Sequence, residues 1–214
     1  MATVTATPGA TGGTTGAIDT TGASLIVVSV SWAAFADANT PTDNKGNAYL
    51  ALTQHASGTT KHQFWYATTP TVGPGHTFTV TSGGSIYPAI IVQAFSGAPA
   101  TPFETQNGGS GFSPASAGSI TPAANGALVV TGIAGASALG SLSVSPAMTQ
   151  TTVPFVGGVT NPGATAFLVQ AVAAAITPVW TYTGGSGTAL SVASFRSAAP
   201  AGLAASQVYV WLPE

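Results

Sequence analysis

The sequence predicts an all-β protein, an antiparallel β-sandwich of jelly-roll-like type built from two pseudo-repeated halves of about five strands each. Two observations carry this. Short apolar or alternating runs bounded by Gly, Pro, Asn and Ser recur along the whole chain. The second hundred residues also repeat the first, strand by strand. No segment reads as a long amphipathic helix.

The first half, residues 1–98, holds expected strands at 24–32, 48–54, 62–69, 76–82 and 89–95, most of them separated by Gly- or Pro-containing turns. The plainest is 76–82, where Phe78 and Val80 share one face while Thr77, Thr79 and Thr81 share the other. The second half, residues 99–198, keeps the same order. Leu25-Ile-Val-Val matches Leu128-Val-Val-Thr at an offset of 103, and Phe64-Trp-Tyr matches Phe167-Leu-Val at the same offset. Phe78-Thr-Val-Thr matches Trp180-Thr-Tyr-Thr at 102, and Ala89-Ile-Ile-Val-Gln-Ala-Phe matches Ala189-Leu-Ser-Val-Ala-Ser-Phe at 100. Ala51-Leu-Thr-Gln against Ala147-Met-Thr-Gln, at 96, marks a place where loop lengths diverged. Residues 166–175 are Ala-rich and would suit a helix, but their place in the repeat makes them a strand.

Two architectures fit such a repeat: one larger sandwich with pseudo-twofold halves, or two tandem small sandwiches. The single sandwich is preferred, because the junction at 97–119 is needed to lead into the second copy and leaves no spare linker. Residues 199–214 stand apart. Ala and Pro at 198–206 read as a linker, and 207–212 read as an unrepeated extra strand.

Composition narrows the function classes. The 214 residues are 45% hydrophobic but only 4% charged, with three Lys plus Arg against five Asp plus Glu and a net charge of -2. No basic field exists to hold a phosphate backbone or anionic lipid, so nucleic acid is not an expected partner. The longest apolar stretch, 166–176, is broken by Gln170 and is shorter than the roughly 20 residues of a membrane-spanning helix, so membrane insertion is not expected either. The first residues lack a basic and apolar export pattern, which predicts a chain used without export or a mature form. With zero cysteines there are no disulfides, thiolate metal sites or Cys nucleophiles.

Candidate chemistry is sparse. A triad would draw on Asp43, on His55 or His62, and on one of many serines, yet no Gly-x-Ser-x-Gly elbow is present to position a nucleophile. His62 is expected near the start of its strand and His76 at a turn, in polar or capping roles. A metal would need Asp37, Asp43 and carbonyls of Asp43-Asn-Lys-Gly-Asn47, but calcium-loop spacing is missing and a turn with Gly46 at positive φ explains that segment better. No metal, cofactor or catalytic residue is therefore assigned, and the chain is not expected to be an enzyme. A polysaccharide-cleaving sandwich is a remote option, since the few carboxylates offer no evident acid and base pair.

Binding is the better-supported class. Trp180 and Tyr182 take the places of core-facing Phe78 and Val80, so they are expected inside, while Trp65, Tyr66 and Tyr87 are candidate stacking platforms for a glycan. In the last segment Tyr209 and Trp211 share one face, with Val208, Val210 and Leu212 on the other. A strand apolar on both faces needs a partner, either in this chain's own sheet or in a neighbouring subunit. Tyr209, Trp211, Val208 and Val210 are thus the candidate partner-interface residues. A surface of Thr, Ser, Asn and Gln with almost no charge suits a crowded ordered assembly, and suits a secreted adhesin or stalk equally.

Four segments carry a resemblance: Asp19-Thr-Thr-Gly-Ala-Ser-Leu-Ile-Val-Val, Asp43-Asn-Lys-Gly-Asn47, Tyr66 followed by Pro70-Thr-Val-Gly-Pro-Gly-His76, and Ala94-Phe-Ser-Gly-Ala98. Together they resemble an uncharacterised β-sandwich family of bacteriophage and bacterial genomes, well over the first hundred residues and faintly over the second copy, which lacks the Asp-Asn-Lys-Gly-Asn turn. The resemblance implies a virion-associated structural or host-contact module and carries over no catalytic residue. The expected role is a capsid decoration or minor capsid protein made in the host cytoplasm, a homo-oligomer whose partners are its own copies and other virion proteins. The alternative is an extracellular or tail-fibre adhesin that binds a host surface glycan.

Overall fold

The computed structural model describes residues 2–4, 11–153, 161–185, 187–197 and 204–207. Among them every regular element is a strand and every pairing is antiparallel. The first repeat supplies β1 (Ala2–Val4), β2 (Gly12–Thr14), β3 (Leu25–Ala33), β4 (Thr42–Asp43), β5 (Leu50–Ala51), β6 (His55–Ser57), β7 (Thr60–Thr68), β8 (Phe78–Thr81) and β9 (Ala89–Ser96). The second supplies β10 (Phe103–Gly111), β11 (Ala115–Ser116), β12 (Ala127–Ala134), β13 (Gly140–Ser145), β14 (Thr149–Val153), β15 (Gly163–Gln170), β16 (Val179–Thr183) and β17 (Thr188–Phe195). β18 (Ala204–Gln207) follows.

The two repeats share one topology. In the first, a large sheet runs β1-β9-β3-β7-β5 and a small one β2-β8-β4; in the second, the same positions read β10-β17-β12-β15-β14 and β11-β16-β13. Each repeat thus forms its own pair of sheets, and the two large sheets lie back to back, giving four layers in the order small, large, large, small. Three cores fill the gaps. Trp32, Phe78, Val80 and Ile90 pack between the first pair of sheets, and Val129, Trp180 and Val192 between the second pair. Leu25, Phe64, Phe95, Leu128, Phe167 and Phe195 pack where the large sheets meet.

This layering explains the strand patterns. A strand of a large sheet is covered on both faces, so β3 and β12 are buried along nearly their whole length, their apolar runs broken only by Ser29 and Ser31 and by Thr131 and Gly132. A strand of a small sheet has one wet face, so β8 and β16 alternate, with Phe78, Val80, Trp180 and Tyr182 inside as the repeat predicts.

Several sequence expectations change. Residues 48–54 do not form one strand, because the chain leaves β7 after Leu52, whose amide still donates to Phe64 O, and rejoins it at His55. The Ala-rich stretch is a strand only to Gln170; beyond it Gln170 Nε2 donates to Ala174 O and the Ala173 amide to Asn125 Oδ1, which closes a turn. β10 was not expected, since its Gly-rich sequence lacks alternation, yet it pairs with β17 from Phe103 to Gly111. Residues 204–206, read as linker, belong to β18, which pairs with β9.

Candidate functional site

The aromatic platform expected on β7 is not at the surface. β7 lies in a sheet covered on both faces, so Trp65 points into the first repeat's core at 2% exposure, and Tyr66 into the inter-repeat core at 8%. Tyr66 stacks on Phe103 at 5.9 Å and meets Phe195 edge-on at 5.3 Å. Tyr87 is half-buried in a loop whose carbonyl accepts from the Asn161 amide and side chain, so it is held across the repeat boundary. The three candidates do not converge, and two have no free ring face.

The histidines occupy two separate buried networks. His62, fully buried on β7, sits between the large sheets with Nε2 2.9 Å from Ser29 Oγ and Nδ1 2.9 Å from Ser191 Oγ. One ring nitrogen donates and the other accepts, so the neutral ring is satisfied. Burial, reinforced by nearby His55, pushes its pKa down to about 3. His55 is its cross-strand partner on β6. Burial lowers the pKa of His55 as well.

The second network ties the Asp43–Asn47 turn to the small sheet. Asp43 Oδ1 accepts the amides of Lys45 and Asn47, and Oδ2 accepts Asn47 Nδ2 at 2.8 Å and the Tyr49 hydroxyl at 2.5 Å. His76 Nε2 lies 3.1 Å from the same Oδ2, and Thr20 Oγ1 lies 2.8 Å from Nδ1. Burial works to raise the Asp43 pKa, but the bonds from Tyr49 and Asn47 and the closeness of His76 outweigh it and hold it at about 2. Burial lowers the His76 pKa against the pull of Asp43. Asp43, His76 and Thr20 stand in the order of a proton relay, but His76 Nε2, though close to the carboxylate, forms no aligned hydrogen bond with it. The terminal Thr20, moreover, is 1% exposed and its hydroxyl accepts the Gly73 amide, which leaves it no approach to a substrate. Asp43 pairs with neither His55 nor His62, the histidines on which a triad would have drawn, and Asp37 pairs with Lys61. Gly46 adopts φ 76°, as the turn reading requires.

What the structure offers outward is edges and apolar tips. β9 has β3 on one side; on the other, β1 covers Ile90 to Val92 and β18 covers Ala94 to Ser96. β18 and β1 run in the same direction, end to end, and together they do for β9 what the single strand β10 does for β17. β18 begins 101 residues after β10, so it stands where a third repeat would start. Tyr209, Trp211, Val208 and Val210, the candidate interface residues, lie outside the described residues. Among the described large apolar side chains, Phe35 is 93% exposed and Phe112 74%, both in loops, and no sequence signal distinguished them from core phenylalanines.

No known protein family matches the chain, and comparison with curated proteins and with solved structures likewise finds no match.

Proposed function

We propose that this chain is a structural protein of a bacteriophage virion, a capsid decoration or minor capsid component that works by subunit–subunit contact. The observation that carries the reading is the edge of β9, which is completed by two strands from the two ends of the chain. Residues 208–212, which follow β18 in the sequence, carry a strand-forming pattern, and the β9 edge beyond Ala94 is already taken by β1. Two segments suited to one edge favour exchange, in which a terminal strand of one copy completes the sheet of the next. The sparse charge agrees with dense packing, because copies with a net charge of -2 repel weakly. The resemblance of residues 19–98 to phage-encoded β-sandwiches supplies the virion context.

Removal of residues 198–214 tests this reading. The truncated protein is expected to unfold within a few degrees of the intact chain yet to lose its assembly by light scattering, and a free peptide of residues 198–214 added to the intact chain is expected to cap the β9 edge and reduce assembly. A truncated protein that assembles like the intact one removes strand exchange from the account.

A further inference from the structure

We infer that the outer edge of β9 takes one continuous strand, residues 204–212 of a neighbouring copy, and that β1 is a placeholder which this strand displaces. The inference rests on the strand exchange proposed above and names its donor, its register and the element that gives way.

The second repeat shows the same edge filled. β10 has nine residues and pairs with every residue of β17 from Thr188 to Phe195, with a β-bulge between Phe103 and Thr105, opposite Phe195 and Ser194. β18 begins on β9 in the same manner. It has a bulge between Ala205 and Gln207, opposite Phe95 and Ala94, the residues that the repeat matches to Phe195 and Ser194. A bulge adds one residue to a strand at a set place, so two strands that share it share a register. That register aligns β18 with β10 at an offset of 102 and matches the remainder of β10, 106–111, to 208–213.

Continued in that register, 208–212 fall opposite Gln93, Val92, Ile91, Ile90 and Ala89 in turn. β1 holds part of that place, with Ala2, Thr3 and Val4 opposite Val92, Ile91 and Ile90. Among the described residues Gln93 falls between β1 and β18 and pairs on this edge with neither, whereas its counterpart Ala193 pairs with Gln106 of β10. Two short pieces with a gap thus stand where the other repeat has one whole strand.

The sequence decides which piece gives way. Directly opposite residues of an antiparallel pair share a face. Ile90 and Val92 belong to the core between the first pair of sheets, and Ile91 to a small core with Ala89 and Val153. The C-terminal run brings Tyr209 and Trp211 to the first of these faces, and Val208, Val210 and Leu212 to the second. It supplies five strand-forming apolar residues where β1 supplies Ala-Thr-Val, so it gains more pairing and covers more apolar surface. Because the same contacts form within a copy or between copies, exchange is a low-cost route to assembly.

The chain has no cysteine, so introduced pairs report the register. Tyr209→Cys and Val92→Cys, made in separate full-length chains, mixed and oxidised, are expected to give a covalent heterodimer. Tyr209→Cys mixed with Ile90→Cys, two residues out of register, is expected to give about tenfold less. Deleting residues 1–5 removes β1 and should lower the concentration for half-assembly, by light scattering, about tenfold or more. Ala2→Cys with Val92→Cys in one chain locks β1 in place; oxidation should abolish assembly and reduction restore it. This locked variant keeps the test intact if the shortened chain does not fold. If the wild-type chain assembles but locking β1 changes nothing, deleting β1 does not strengthen assembly, or the 209–92 pair cross-links no better than 209–90, the placeholder is overturned while the assembly role stands. A chain that stays monomeric at every concentration, with β1 present and with it deleted, overturns both.

Discussion

Gly132 on β12 lies directly against the imidazole of His62 on β7: a Cβ at position 132 would overlap the ring at Nε2 and crowd Phe64 at 3.0 Å. The two large sheets approach this closely because small residues line their contact. Gly163 faces Ser31 in the same way, with a Cβ there falling 2.5 Å from Oγ, and Gly108 faces His55. The inter-repeat contact is therefore half apolar and half a polar seam, in which His62 and Ser31 cross between repeats and Ser31 donates to Ile133 O.

The seam predicts that Gly132→Ala destabilises the fold by about 1–3 kcal/mol, the usual cost of overpacking, because His62 is held at both nitrogens and cannot swing aside. Urea unfolding reads this directly, and an unchanged midpoint would mean that the sheets can part without cost.

His62 also makes stability depend on pH. Its folded pKa, about 3, lies below the ordinary histidine value of about 6.5, so the unfolded chain binds the extra proton first. The contribution is complete above pH 6.5, and falls by up to about 1.4 kcal/mol per pH unit as pH drops from 6.5 towards 3. Asp43 adds a further loss from about pH 3.8 down to 2, since its folded pKa is the lower one. Urea midpoints at pH 7.5, 5.5 and 4.5 should fall in step for wild type, and His62→Gln should flatten that fall even though it lowers stability overall.

Thr165 offers the opposite effect. Its side chain is fully buried between the large sheets and its hydroxyl has no protein partner. Thr165→Val keeps the shape and removes a buried unsatisfied group, so it should stabilise the protein by about 1 kcal/mol, read as a raised urea midpoint. A lowered midpoint would contradict the assignment of that hydroxyl as unsatisfied.

Trp65 separates core from platform. Trp65→Ala is expected to cost about 3–5 kcal/mol through the cavity it leaves against Trp32, whose ring centroid is 6.5 Å away. Thermal unfolding measures that loss. A variant of unchanged stability would mean that the ring is not in the core.

The repeat and the strand order were legible in the sequence because runs such as Leu25 to Val28 and Leu128 to Val130 are continuous and apolar, and because Phe78 and Val80 alternate with threonines. The four-layer stack was harder to see. A run buried on both faces shows that two layers cover it, but not whether the second layer is the chain's other half. β10 escaped notice because glycines that allow close contact, such as Gly108 against His55, also erase the alternation that marks a strand. The Asp43–His76 pairing was hidden for a different reason. The turn at Asp43 is local, but its partner comes 33 residues later, from the bridge to Ile18 just ahead of β8, and only the small sheet brings them together. Trp65 reads as a surface candidate because alternation suggests that one face of β7 is wet, whereas the fold buries it at 2% exposure.

The measurement that bears most directly on the assembly role is the mass of the intact chain by light scattering across a concentration series. The account predicts species at defined multiples of 20.8 kDa that grow with concentration. A single 20.8 kDa species from the lowest to the highest concentration would contradict it.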